Sequence, residues 1–329
     1  MIPNLDHLRR AYATTSKATQ LTPLLRSPAL AKLTGAAGVF VKAESLQWAG
    51  SFKVRGAYWR LTLLSPEEAK RGVVAFSSGN FAQGLAAAGE ALGIPVTIVM
   101  PIDAPAAKRE ATAGYGARVV LTDHGERPRE EVARAKADEI AVTEGLTFLH
   151  PFDDPEVVAG QAGAGLEAID QLSTLGATAD LMLCPTGGGG LLGGVALAFH
   201  YLSPGTRLFA VEPAGYDGMG ASLRGGRIET VPVVPSSICD GLMSRHPGEA
   251  TFEPARAAGV TGVNVTDASV RRAMKVGFER LKLVLEPSGA AGLAALLDGK
   301  VDVAGKTVVV VATGGNVALA DFIRYTADA

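Results

Sequence analysis

The sequence predicts an α/β protein of two doubly wound open sheets, the smaller inserted into the larger. Three observations carry that expectation. From residue 73 to 151, short apolar runs bounded by small polar residues alternate with helical stretches, the pattern of a parallel sheet covered on both faces. A second alternating series starts at Leu181 and closes with TVVVVATGG (residues 307–315). The chain has 329 residues, 47% hydrophobic and 19% charged, enough for one large core or two moderate ones.

In chain order, residues 5–17 predict an amphipathic helix and LTPLLRSPAL (21–30) an extended segment punctuated by proline. Residues 39–42 form a short strand leading to ESLQWAGSFKVRGA (44–57). There Gly50-Ser51 end a loop and a helix begins at Phe52, with Lys53 in its first turn. The alternating stretch follows: strands at VVAFSS (73–78), PVTIVMP (95–101), ARVVLT (117–122) and TFLHP (147–151), and helices from FAQGLAAAGEALG and at 105–115 and 126–144. One long helix is expected from 155 to about 175, then strands at LMLCPT (181–186) and RLFAVEP (207–213). The small domain is expected at 62–147, with 1–61 and 148–329 forming the large one.

The net charge of -2 and pI near 6.2 give no basic footprint for nucleic acid or an anionic membrane. Cys184 and Cys239 sit in apolar runs without a metal-ligand pattern, so reduced, buried thiols and a cytoplasmic location are expected. The N-terminus has no apolar signal core, and no run reaches the roughly 18 apolar residues of a membrane span. His150, His200 and His246 are too far apart to suggest a ligand set, and GEATFEPARAAG (248–259) reads as a solvated loop and helix.

Ligands of such sheets sit at the carboxyl ends of the strands, so the loops there carry the chemistry. A lysine at a helix start faces the positive end of the dipole, which lowers its pKa towards what Schiff-base chemistry requires. SSGNFAQG (77–84) puts small residues and an amide at a strand-to-helix turn, where free N–H groups can hold a carboxylate. PTGGGGLLGG (185–194) follows a buried strand and lets backbone N–H groups converge on a phosphate. Gly188-x-Gly190-x-x-Gly193 also fits a dinucleotide fingerprint, with Glu212 where a ribose-binding acid would fall. A dehydrogenase leaves Lys53 and the SSGN loop without a role.

Taken in order, LTPL, KAESLQWAGSFKVRGA, SSGNFAQG, PTGGGGLLGG, VEP, EPSGAAGLAAL and TGGN resemble the tryptophan-synthase-β-like pyridoxal-phosphate enzymes, within them the serine/threonine dehydratase and serine racemase group. The resemblance runs from about residue 21 to 319 and implies a cofactor cleft between the two domains. By it Lys53 would hold pyridoxal 5'-phosphate as a Schiff base, with Phe52 packed beside it. Asn80 would bond the cofactor 3'-oxygen, and Gly187, Gly188, Gly189, Gly190 and Leu191 would hold its phosphate. Thr313 would face the pyridine nitrogen, and Gly241 and Glu286 would line the ring edge. Ser77, Ser78, Gly79 and Asn80 would hold the substrate carboxylate. A homodimer, a small amino-acid substrate, and no nucleic-acid or membrane partner are expected.

The implied reaction is α,β-elimination of water from threonine or serine to a 2-keto acid and ammonia. The alternatives are racemisation, with Ser78 as the acid on the opposite face, or dehydration of hydroxyaspartate or phenylserine. An NAD-dependent oxidoreductase is the more distant reading. Phe81 stands where the dehydratases have histidine, which disfavours a β-carboxylate unless an arginine such as Arg109 or Arg55 enters the pocket. Ala49 replaces the family's threonine, with Trp48 before it. The family's divalent-ion site keeps Glu212, but Asp217 falls one residue early and Gly218 takes its place, so a metal is not predicted. The short stretch after the TGGN loop leads us to expect neither a C-terminal regulatory domain nor feedback inhibition.

Overall fold

The computed structural model describes residues 2–327 and 329. Among them are ten strands: β1 (Leu24–Arg26), β2 (Gly38–Ala43), β3 (Val73–Phe76), β4 (Val96–Pro101), β5 (Arg118–Thr122), β6 (Thr147–Phe148), β7 (Leu181–Pro185), β8 (Arg207–Pro213), β9 (Thr261–Val265) and β10 (Thr307–Ala312). Six form one sheet in the order β1-β2-β10-β7-β8-β9, parallel except for β1. The other four form an all-parallel sheet, β5-β4-β3-β6. The fold class is therefore the expected one.

The central strand β10, TVVVVA, shows why the large sheet is buried on both faces. Val308 and Val310 join Val41, Leu183 and helix Pro287–Leu297 on one side, while Val309 and Val311 join Met182, Leu192 and Phe199 on the other. Alternate side chains point to opposite faces, so an uninterrupted run of β-branched residues fits only a strand covered twice. Helix Lys53–Thr62 packs between helices Asn80–Leu92 and Pro155–Gln161. Glycines permit these close crossings: a Cβ on Gly160 would lie 2.7 Å from the Gly56 Cα, and one on Gly84 2.8 Å from the Val54 nitrogen.

Several boundaries differ from expectation. The helix expected over 126–144 is Arg129–Glu144, because Asp123 accepts from the Gly125 amide and Pro128 sits at the N-cap, holding 123–128 in a turn. The helix expected over 155–175 is two, Pro155–Gln161 and Gly163–Thr174, meeting at Ala162. Part of the extended 21–30 segment pairs as β1, and β9 was not expected at all; its sequence, TGVNV, breaks the apolar run with Gly and Asn. The 248–259 stretch is not a solvated loop and helix: helix Glu249–Ala257 buries Thr251, Phe252, Pro254 and Ala255 against helix Gly190–Leu202.

Candidate active site

Because β2, β10 and β7 are parallel neighbours, the loops that leave their carboxyl ends open side by side. These are the Lys53 loop after β2, Thr313 to Asn316 after β10, and the glycine run after β7. The backbones of the first two are joined: Phe52 N donates to Thr313 O (3.3 Å) and Gly315 N to Gly50 O (3.0 Å). Gly50 adopts φ 71°, and a Cβ there would lie 2.1 Å from the Asn316 Oδ1, so this junction demands glycine twice over.

Lys53 is the first residue of its helix, as expected, but the cause of its lowered pKa is different. Burial brings the ammonium to about 8, and no carboxylate among the described residues offsets it. Its Nζ donates to Pro151 O at 2.9 Å and lies 5.2 Å from the Phe52 ring centre and 5.6 Å from that of Phe81. The Pro151 carbonyl is presented by a turn in which His150 Nδ1 accepts from the Phe152 and Asp153 amides (3.3 and 2.8 Å). Burial lowers His150 to about 4, so the ring is a neutral acceptor at that turn.

The glycine run forms a cradle. Gly189 has φ 93°, and Cβ atoms on Gly187, Gly188 and Gly190 would lie 3.0 Å from Gly241 O, 2.4 Å from the Phe152 ring and 3.0 Å from the Phe152 Cβ. Thr251 Oγ1 donates to Gly188 O (2.7 Å) and tethers the loop from the helix beside it. No protein acceptor takes the N–H groups of Gly187 to Leu191 among the described residues. They precede and begin helix Gly190–Leu202, so five unclaimed donors lie at the positive end of its dipole, where an anion can be held. The Leu191 side chain turns into the core, so only its amide can serve there.

From the small sheet, the loop after β3 brings Ser77 to Asn80 to the same opening. Ser77 Oγ accepts from the Gly79 amide (3.2 Å), while the amides of Ser78, Asn80 and Phe81 have no protein acceptor among the described residues. Asn80 joins the two sheets. Its Nδ2 donates to Glu286 Oε1 and its Oδ1 accepts from Asn316 Nδ2 (2.9 Å). Burial pushes Glu286 up to about 7. Gly241 donates to Ser288 Oγ (3.0 Å) and so stands between the glycine run and helix Pro287–Leu297. Thr313 is buried, and its hydroxyl has no protein partner among the described residues.

An arginine that was not expected there, Arg129, stands beside this opening. Arg129 Nη2 donates to Ser78 Oγ at 3.1 Å, and its Nη1 lies 3.3 Å from Asp103. Arg55 is fully buried between Glu44 and Glu167. A positional signal was available: Arg129 opens the helix after β5, on the edge of the sheet that carries Ser77 to Asn80. Pro151, Phe152 and Thr251 lie outside the motifs that carry the resemblance and Ser288 inside EPSGAAGLAAL, and none of the four was singled out as a site residue from sequence. Away from the opening, both Glu212 oxygens accept helix amides, from Met219 and Gly220 at 2.8 Å, and Asp217 faces Arg224. Among the described residues no group of three His, Cys, Asp or Glu could hold a metal ion.

A family model described as "Pyridoxal-phosphate dependent enzyme" matches residues 15–314. The chain belongs to that family. It is 43% identical over 297 residues to an L-threo-3-hydroxyaspartate ammonia-lyase of Pseudomonas sp, covering 90% of each chain. It is 40% identical over 313 residues to the L-threonine ammonia-lyase of Thermotoga maritima, covering 95% of this chain and 75% of that protein. The solved structure of maize serine racemase superposes with a TM-score of 0.91 at 33% identity, covering 98% of this chain and 97% of that one. The residues fit the family's cofactor, since the site offers a partly desolvated lysine and, separately, an unclaimed ring of amides for a phosphate. In Gly188→Ala the new methyl would displace Phe152 from the cradle, so pyridoxal phosphate is expected to dialyse away at least tenfold more readily than from the parent protein; equal retention, read from visible absorbance, would remove the loop from the site.

Proposed function

We propose that this protein is a pyridoxal-phosphate-dependent ammonia-lyase that removes water from a 3-hydroxy amino acid, threonine or serine, giving a 2-keto acid and ammonia. The observation that carries the reading is Lys53, its pKa brought to about 8 by burial, held at Pro151 O between two aromatic rings. In this reading the amides of Gly187 to Leu191 hold the cofactor phosphate, and Phe52, Asn80, Gly241, Glu286 and Thr313 surround the ring. When bound, the cofactor supplies the electron sink for the charge left at Cα.

The chain's own groups do the rest. The free amides of Ser78, Asn80 and Phe81, with Ser77 and Gly79, orient the substrate carboxylate at a helix N-terminus. A lysine that titrates near 8 exchanges a proton readily close to neutral pH, which suits Lys53 to take the Cα proton. Thr313 offers a neutral hydroxyl and so does not force a ring nitrogen to carry a proton. Phe81 is buried beside Lys53 and excludes water from the exchange. The purified protein should be yellow, and borohydride should bleach it and leave a phosphopyridoxyl group on Lys53; a colourless protein, or a label elsewhere, refutes the assignment.

A second substrate reading is favoured by Arg129. An arginine at Ser78 is the condition under which a β-carboxylate is tolerated next to Phe81, because the charge-assisted bond offsets its desolvation. On that reading a 3-hydroxyaspartate is also eliminated, and Ser78 and Arg129 meet its second carboxylate. The comparison is kcat/KM for threonine, serine, phenylserine and the hydroxyaspartates in the parent and in Arg129→Leu. Loss of at least tenfold confined to hydroxyaspartate supports the reading; equal loss for every substrate sinks it.

We assign residues 1–61 and 148–329 to the large domain and 62–147 to the small one. Both cysteines are buried free thiols, which is consistent with the cytoplasm, and no helix among the described residues is long and apolar enough to cross a membrane. The proposed assembly is a homodimer. Leu319 (75% exposed) and Ile323 (56%) lie one turn apart on helix Leu319–Thr326, and Phe278 (52%) packs on Phe322 of the same helix, leaving an apolar face for a second copy. Light scattering should give twice the chain mass, and a monomer at micromolar concentration would contradict it.

A further inference from the structure

One ion pair not yet given a role joins the two sheets. Lys108, on helix Ala106–Gly114 beside the small sheet, donates to Asp240, which opens the short turn Asp240–Leu242 next to Gly241. The partners are 132 residues apart in sequence. The Lys108 side chain is only 15% exposed, whereas Asp240 is 47% exposed, so the cation is enclosed and its partner reaches solvent. Both act on Glu286, which accepts the Asn80 amide. Among the described residues these are the two charged groups that act on it. The Asn80 amide and the Gly314 backbone also lie against it, and the Cys239 thiol nearby is pushed up to about 12 by burial and is therefore neutral.

The balance at Glu286 is delicate. Burial pushes its carboxyl up, the Lys108 ammonium pulls it down, and Asp240 pushes it up again. Burial and the Arg129 cation oppose the Lys108 charge, but Asp240 and Glu286 more than offset them, so Lys108 stays above its ordinary value and remains a cation. Ionised Glu286 is an acceptor only and so holds the Asn80 Nδ2 towards it, whereas a protonated carboxyl could also donate to the amide oxygen; in the observed orientation Asn80 Oδ1 accepts from Asn316. The orientation of an amide that faces the proposed cofactor therefore depends on a charge supplied from the other side of the cleft.

We propose that Lys108 is a positioning residue: paired with Asp240 it latches the helix of the small sheet to the rim of the site, and it provides a positive charge that favours the ionised form of Glu286 and the orientation of Asn80. Its catalytic consequence rests on the elimination reading above. The contact itself does not.

The experiment uses the full-length protein with Lys108→Gln, Lys108→Arg and Asp240→Asn. In kcat/KM against pH for serine and threonine, the acid limb reports the group that must be ionised. Removing the cation should move that limb to higher pH by roughly half a unit or more, and removing the anion should move it to lower pH, with Lys108→Arg close to the parent. A purely structural role would move the two variants together. Shifts in the same direction, or none, overturn the charge assignment. In cofactor-free protein, hydrogen exchange of residues 106–114 should quicken several-fold in Lys108→Gln and Asp240→Asn and return to the parent rate in Lys108→Arg; unchanged exchange overturns the latch. If the parent eliminates water from neither amino acid, the functional reading fails while the exchange result still decides the contact.

Discussion

The site hangs on a guanidinium two residues past Lys53. Arg55 is fully buried and uses its whole fork: Nε and Nη2 to Glu44 (2.8 and 2.9 Å), Nη1 and Nη2 to Glu167 (2.7 and 2.8 Å). Lys42 closes the network on Glu167 (2.6 Å), the Thr22 carbonyl (2.7 Å) and Gln171 (3.0 Å). Two cations face two carboxylates, so the cluster is neutral although every member is out of water. Burial alone would raise Glu44, yet Arg55 and Lys42 hold it below its ordinary value. Breaking one partner of such a cluster costs about 3–5 kcal/mol, because the others stay buried and unpaired. Lysine could not replace Arg55, since an ammonium has no planar fork to bridge two carboxylates. The network ties the Lys53 helix to the strand before it and to helix Gly163–Thr174, and so fixes the direction from which Lys53 enters the opening.

Around that fixed point, parallel neighbours do the assembly. The strands β2, β10 and β7 deliver three loops to one edge of the large sheet, and the two outer loops never touch in sequence. The small sheet contributes one loop to the same place, and Asn80 is its fastening, bonded at once to Glu286 and Asn316. The opening between the sheets is thus lined from both, with a desolvated lysine at one wall and free amides at two others. Burial explains the lysine, and two helix starts explain the amides.

Features that constrain the backbone locally were legible in the sequence. The glycine run is needed because Phe152 leaves no room for a Cβ at Gly188, and the valine run of β10 is needed because both faces are covered. Lys53 was found through its place at a helix start, although burial and not the helix end turned out to lower its pKa. The helix boundaries that were missed, at Pro128 and at Ala162, lie where a turn or a glycine-lined crossing overrides the helical pattern.

By itself, then, the sequence determined the alternation of strands and helices, the lysine and the two loops rich in small residues, because φ/ψ requirements and burial periodicity leave marks within a few residues of one another. Only the tertiary structure decided which partners those groups meet. Arg129 reaches Ser78 across 51 residues, Lys53 meets Pro151 across 98, and Lys108 meets Asp240 across 132. Such pairs depend on the order in which parallel strands lie side by side, and an arginine at a helix start or a proline in a turn does not by itself name the partner that order gives it.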